Sequence, residues 1–244
     1  MESKLLTCLT RIAAAPSVAA VWAETLHYLD ALGVSWVCYA YAEGPGTLDP
    51  RPAEKRTNLP GWWLERYATM GYAVGDPAIR HSIRSIEPAL LNMDAASDLG
   101  ALSRQLHAES RSALEARSTV VVPLRRHWRI PLGGVTCTTR REGAAAARWY
   151  AANGDALRLA VYYADVRLVE FARATEAATV RLSPRERECL LWLAKGLRND
   201  RIAERMRISR PTVEFHLMRA RRKLGAATRD QALARAVALG LVVP

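Results

Sequence analysis

The last quarter of the chain is punctuated into short helices, and nothing else in the sequence constrains the fold as tightly. Ser183-Pro184-Arg185-Glu186 has the form of a capping box, in which the Ser183 hydroxyl accepts from a helical N–H and Glu186 reaches back to the Ser183 N–H. Pro184 sits where a missing N–H costs nothing. The helix it opens carries Leu190, Leu191, Trp192 and Leu193 and stops at Gly196, a residue free to adopt the left-handed backbone of a helix end. Asn199 can cap a second short helix with Ile202, Ala203 and Met206, and Arg207-Ile208-Ser209 turns into a third that Ser209 caps. In that third helix Val213, Leu217, Ala220 and Leu224 form a single apolar stripe at helical spacing, while Glu214, Met218, Arg221 and Arg222 point elsewhere. Gly225 ends it. Thr228-Arg229-Asp230-Gln231 then reads as a second capping box, opening a final helix through Leu233, Ala236 and Val237 to Gly240. A third helix with one buried stripe and one free polar face, in a four-helix unit of this size, is the pattern of a helix-turn-helix domain.

Charge is concentrated in the same place. From Arg181 onward there are fifteen basic residues and six acidic ones, so this segment holds nine of the eleven net positive charges. A run of charge is ordinarily just a solvated face. Coinciding with a helix-turn-helix pattern, it becomes the electrostatic footprint of a phosphate-binding module.

The residues Leu182-Ser183-Pro184-Arg185-Glu186-Arg187-Glu188, Gly196, Ile202-Ala203, Ile208 through Leu217 and Lys223-Leu224-Gly225 together resemble the LuxR-type DNA-binding domain. The resemblance implies that Glu214 and Met218 face base edges, where a carboxylate accepts from a cytosine amino group and a thioether touches a thymine methyl. Arg210, Arg219, Arg221, Arg222 and Lys223, with Thr212 at the helix start, would position the phosphates. Arg198 and Arg201 stand where the family often has Thr and Glu, so the second helix is not expected to be capped in the usual way.

The residues ahead of this segment are enough to bury a core of their own. Apolar periodicity predicts a helix through Val18, Val21, Trp22, Leu26 and Leu29, closed by Gly33, then a strand over 34–41. Further strands are predicted at 119–124 and 135–139, with helices around 63–70, 77–85 and 102–115 between them. A last helix begins near Ala144 and extends through Leu157, Val161, Val166, Val169 and Phe171. Its apolar residues Leu157, Val161 and Leu168 offer an exposed surface for dimerisation. The order suits an α+β protein: an α-β-α sandwich around an antiparallel sheet over residues 1–172, a polar linker at 173–181, and the all-α helix-turn-helix domain at 182–244.

Trp63 and Tyr67 lie on one helix face, and Asp76-Pro77 opens the next helix. A carboxylate buried beside an indole and a phenol is costly until a donor meets it, and a ligand amide N–H is such a donor. This arrangement resembles the acyl-homoserine-lactone pocket of LuxR-type quorum-sensing receptors, at Trp63, Tyr67, Asp76 and Pro77. By that resemblance Trp63 donates to the lactone carbonyl, Asp76 accepts the ligand amide and Tyr67 walls the acyl side, with Tyr39 and Thr136 also at the pocket. Leu59, Leu91 and Thr119 stand where many members have Tyr, Trp and Gly. A lost donor to a buried carbonyl costs about 1–3 kcal/mol unless Thr136 or water replaces it.

The expectation is therefore a regulator that binds an N-acyl-homoserine lactone with an aryl or short branched acyl group and, as a homodimer, an inverted repeat in double-stranded DNA. The alternatives are a ligand-independent or partner-stabilised regulator, and a receptor for a non-lactone small molecule. Cys8, Cys38, Cys137 and Cys189, like His27, His81, His107 and His127, lack metal-ligand spacing, so no metal and no cofactor beyond the signal molecule is expected. A response-regulator receiver needs an acidic cluster and a well-placed Lys, and residues 1–170 contain only Lys4 and Lys55. With no G-x-S-x-G motif, no phosphate loop, no apolar run of roughly 18 residues and no leader pattern, the chain is expected to be a non-enzyme, without a membrane partner, in the cytoplasm.

Overall fold

The computed structural model describes residues 2–41, 54–93, 100–125 and 132–243, which leaves His127 outside the described residues. The chain divides into two compact units, Met1–Leu168 and Val169–Pro244.

In the first unit α1 (Glu2–Ala14) and α2 (Val18–Ala31) lead into β1 (Trp36–Tyr41) and β2 (Glu54–Thr57). Three helices follow, α3 (Gly61–Thr69), α4 (Pro77–Arg84) and, after β3 (Ala89–Asn92), α5 (Ala101–Leu114). β4 (Ser118–Arg125) and β5 (Leu132–Thr139) complete the sheet, and α6 (Gly143–Thr179) runs on from it. The strands are antiparallel in the order β2-β1-β5-β4-β3. β4 is buried along seven of its eight residues rather than at alternate ones, because both faces of the sheet are covered by helices.

Register sorts the side chains between those two faces. Val37, Tyr39 and Tyr41 share one face with Val135 and Cys137 of β5 and with Val120, Val122 and Leu124 of β4. That face meets α2 and α6: Trp22 packs edge-on against Tyr39, and the Tyr39 and Tyr41 hydroxyls donate to Asp165 at 2.9 and 3.1 Å. The opposite face carries Trp36 and Cys38, Thr136 and Thr138, Thr119 and Val121, and Leu91. It meets α4 and α5. The Trp36 indole donates to the Leu114 carbonyl at 3.0 Å, and a Cβ at Gly134 would lie 2.7 Å from Ser82 Oγ, so α4 approaches the strand as closely as only glycine permits.

Among the described elements, α1, the four-residue strands β2 and β3, too short to show alternation, and the single 3-10 turn Tyr72–Val74 were not apparent in the sequence. Leu157, Val161 and Leu168, expected on an exposed surface, are buried; among the described residues the large apolar side chains that α6 exposes are Leu159, Tyr163 and Val166. The helix also continues to Thr179, through most of the stretch read as a linker.

The second unit contains α7 (Pro184–Ala194), α8 (Asn199–Met206), α9 (Arg210–Lys223) and α10 (Arg229–Ala238) around one apolar core. Leu190, Ile202, Val213, Ala220 and Ala236 are fully buried there. Both halves of the Ser183–Glu186 capping box form, and Ser209 caps α9 through the Thr212 N–H. Two caps differ from expectation. Asn199 is the first helical residue of α8, preceded by Arg198 with no side-chain cap, and Gln231 accepts from the Ala227 N–H rather than closing the box on Thr228.

Candidate functional site

The polar centre of the first unit is built from three consecutive turns of chain. Trp63 and Tyr67 lie one turn apart on α3, and Trp63 is buried with Tyr72, Leu106, Leu114 and Ala116. Gly71, at φ 63°, reverses the chain after α3 so that Asp76 arrives beneath Tyr67 as the N-cap of α4. The Tyr67 hydroxyl donates to Asp76 Oδ2 at 2.6 Å, and the Ala78 N–H donates to Oδ1 at 2.8 Å. Burial pushes the Asp76 carboxyl above its ordinary value, although Tyr67, Ala78 and His107 each pull it back. Burial, then the adjacent carboxylate, pushes the Tyr67 phenol up as well.

α5 clamps this corner. The Ser103 hydroxyl donates to the Gly75 carbonyl, and Arg66 of α3 makes a two-pronged pair with Glu109 at 2.9 and 2.7 Å. Leu59 and Tyr67 pack on the Trp63 cluster together with Trp36, Met70, Met93 and Leu102. Leu91, Thr119 and Thr136 share the sheet face toward which these helices turn; the Thr119 hydroxyl is bonded to Thr138 at 2.9 Å, and Thr136 reaches the Cys38 carbonyl at 3.5 Å. Tyr39 is a correction. Register puts it on the other face, with its hydroxyl on Asp165, away from Trp63 and Asp76.

His107 was overlooked. It lies on the buried stripe of α5 with Ser103, Leu106, Ser110 and Leu114 and is only 8% exposed. The signal lay in that stripe, where polar residues recur at helical spacing among the apolar ones.

The second unit presents α9. Its buried side, Val213, Leu217 and Ala220, anchors the helix, and Glu214, Phe215, Met218, Arg219, Arg221, Arg222 and Lys223 are exposed on the other. Glu214 is engaged: Arg210 bonds it at 3.0 Å, and Arg210 also meets Asp200 at 3.2 Å. The Arg210 hydrogen bond, with one from Asn199, holds the Glu214 carboxyl below its ordinary value. Thr212 pairs its hydroxyl with Ser209 at 2.7 Å. Lys223 donates to buried Glu186 at 2.7 Å, and Arg219 lies 3.7 Å from the same carboxylate. Burial pushes Glu186 up, but Lys223, the Ser183 N–H and Arg219 outweigh it and hold the carboxyl below its ordinary value.

Residues 17–167 match the model of the autoinducer binding domain, and residues 180–236 match that of bacterial regulatory proteins of the luxR family. The putative HTH-type transcriptional regulator y4qH of Sinorhizobium fredii is 31% identical over 220 residues, covering 86% of this chain and 64% of the relative. This chain thus spans just under two thirds of that protein's length. The HTH-type quorum sensing-dependent transcriptional regulator RpaR of Rhodopseudomonas palustris is 30% identical over 188 residues, covering 75% of this chain and 73% of RpaR. In fold the chain is similar to Escherichia coli SdiA, with a TM-score of 0.66 at 24% identity over 99% of each chain.

An autoinducer-binding sheet domain followed by a helix-turn-helix domain defines a two-domain transcriptional regulator. This chain belongs to the LuxR family of such regulators. Among the described residues no helix is long and apolar enough to cross a membrane.

Proposed function

We propose that this chain is a receptor for an N-acyl-homoserine lactone, of aryl or short branched acyl group, and that it binds an inverted repeat in DNA as a homodimer in the cytoplasm. The observation that carries the reading is the half-buried Tyr67–Asp76 pair beside buried Trp63, on the side of the sheet that carries Leu91, Thr119 and Thr136. Asp76 Oδ2 accepts one hydrogen bond, from Tyr67, and keeps a second lone pair for a ligand amide, while the Ala78 and Ile79 N–H groups serve the α4 side of the carboxylate. Trp63 supplies the indole N–H for a lactone carbonyl. Leu59 and Leu91 leave room and apolar surface where larger aromatic groups are common in the family, which suits a bulky acyl group. Ligand binding stabilises the folded state by mass action, and a dimer sets two copies of α9 one DNA turn apart.

The test is thermal stability and soluble yield of the full chain against lactones with straight, branched and aryl acyl groups. A large stabilisation by one class, lost in Asp76→Ala, is expected. An equal response from Asp76→Ala would overturn the assignment. One observation favours a second reading, a regulator that needs no ligand: both Asp76 oxygens already have donors from within the protein. A stable protein indifferent to the whole panel would establish that alternative.

A further inference from the structure

His107 belongs to none of the roles above, yet it stands at the same corner as Asp76. Ser103, one turn earlier on α5, bonds the Gly75 carbonyl next to Asp76, and Gly75 is so close to α5 that a Cβ there would meet Leu102 at 3.2 Å. His107 follows Ser103 on the same stripe, and the Asp76 carboxylate is near enough to favour its protonated form. Burial outweighs that and lowers the imidazole below its ordinary value, so the ring is neutral, with one N–H and one lone pair. The Met93 carbonyl also favours an N–H on the ring. Nδ1 is buried with no hydrogen-bond partner, so the proton is assigned to Nε2 and the unused lone pair to Nδ1.

A buried acceptor without a partner is an expensive arrangement, and α5 holds this one at the corner where Ser103 meets the residue before Asp76. Asp76 and His107 Nδ1 both accept, so a molecule that satisfies the pair must bring two donors to one place. An amide N–H is one. We infer that the signal molecule carries a hydroxyl on its acyl group close to the amide, and that His107 is the residue that selects it. This inference rests on the lactone reading of the pocket. A carbonyl at the same position would set lone pair against lone pair, and an unsubstituted chain would leave Nδ1 empty.

The experiment compares binding of matched β-hydroxy-, β-oxo- and unsubstituted acyl-homoserine lactones to the full chain, wild type and His107→Phe, by thermal shift and titration calorimetry. The wild type is expected to bind the β-hydroxy compound about tenfold more tightly than the other two, the worth of one hydrogen bond. His107→Phe is expected to lose that preference while binding the unsubstituted compound at least as well. Its apo form should melt close to the wild type, since the substitution removes the unpartnered Nδ1 together with the ring N–H that meets the Met93 carbonyl. If His107→Phe does not fold, His107→Leu carries the same comparison. Asp76-dependent binding without a hydroxyl preference, or a preference that survives His107→Phe, overturns the inference and leaves the lactone reading intact. Failure of every lactone to bind the wild type overturns both.

Discussion

The Tyr67 hydroxyl donates to Asp76 Oδ2 at 2.6 Å, joining one helix of the sensor domain to the cap of the next. The bond gives the same carboxylate two duties. Asp76 holds the start of α4 through the Ala78 N–H, and through Tyr67 it ties that start to α3. The packing of two helices is therefore coupled at one side chain.

Tyr67→Phe should destabilise the sensor domain by about 1–3 kcal/mol, the cost of leaving a half-buried carboxylate one donor short. Asp76 has a raised folded pKa, so ionising it costs stability as pH rises above the ordinary carboxylate range. The Tyr67 bond offsets part of that cost. Removing it raises the folded pKa further, so the gap between wild type and variant should be widest at neutral pH and narrow as pH falls toward the ordinary value of 3.8. Thermal melts of both proteins across that range measure it; a gap independent of pH would show that the bond does not serve the charged form.

The parts of this architecture legible in the sequence are those whose partners lie close along the chain. Ser183 and Glu186 are three residues apart, and both halves of their box form. Trp63, Tyr67 and Asp76 fall within two adjacent helices, so helical spacing and one capping residue brought them together. What failed depended on distant context. Alternation shows that Tyr39 and Tyr41 share a face of β1, but not that Asp165, over a hundred residues later, waits on that side. Leu157, Val161 and Leu168 read as an exposed stripe because the sequence does not reveal which side of α6 the sheet covers. Gln231 could close a box on Thr228, yet the nearby Ala227 N–H competes for it and wins. His107 lies on a stripe of α5 whose spacing is visible in the sequence, but spacing shows which side of the helix is buried and not what the ring meets there.

Glu186→Ala should loosen the DNA-binding domain by about 1–3 kcal/mol, since it removes half of the capping box and leaves Lys223 and Arg219 facing each other without their shared anion. The folded carboxyl lies below its ordinary value of 4.5. Its contribution is then complete above that pH and fades as pH falls through the lower folded value. Hydrogen exchange of peptides spanning 183–224 in the full chain reports it: protection should fall in the variant at neutral pH, and the difference should close under acid conditions.

Leu190→Ala, at a fully buried position of the second core, should cost about 2–5 kcal/mol. DNA binding should be lost at physiological temperature. The sensor domain has its own core, so any lactone-induced stabilisation should persist in the same variant. Paired ligand-shift and DNA-retardation measurements test this, and loss of both responses would show that the two units do not fold independently.

Exposed side chains on α9 divide by whether the protein already uses them. Arg222 is exposed, whereas the Lys223 ammonium is committed to Glu186 at 2.7 Å and Glu214 to Arg210 at 3.0 Å. Arg222→Ala should therefore weaken binding to every DNA sequence by a similar factor and reduce the slope of log affinity against log salt by about one per protomer, as a lost phosphate contact does. Met218, 41% exposed and uncharged, should behave oppositely: Met218→Ala should leave the salt slope unchanged while relaxing preference at one base pair, by about 1–3 kcal/mol of discrimination. Lys223→Ala should act mainly through stability, because it strands Glu186 in the core. Binding measured over a salt series and against a library of half-site variants separates the three, and an equal change of slope in Met218→Ala and Arg222→Ala would show that α9 does not divide reading from positioning in this way.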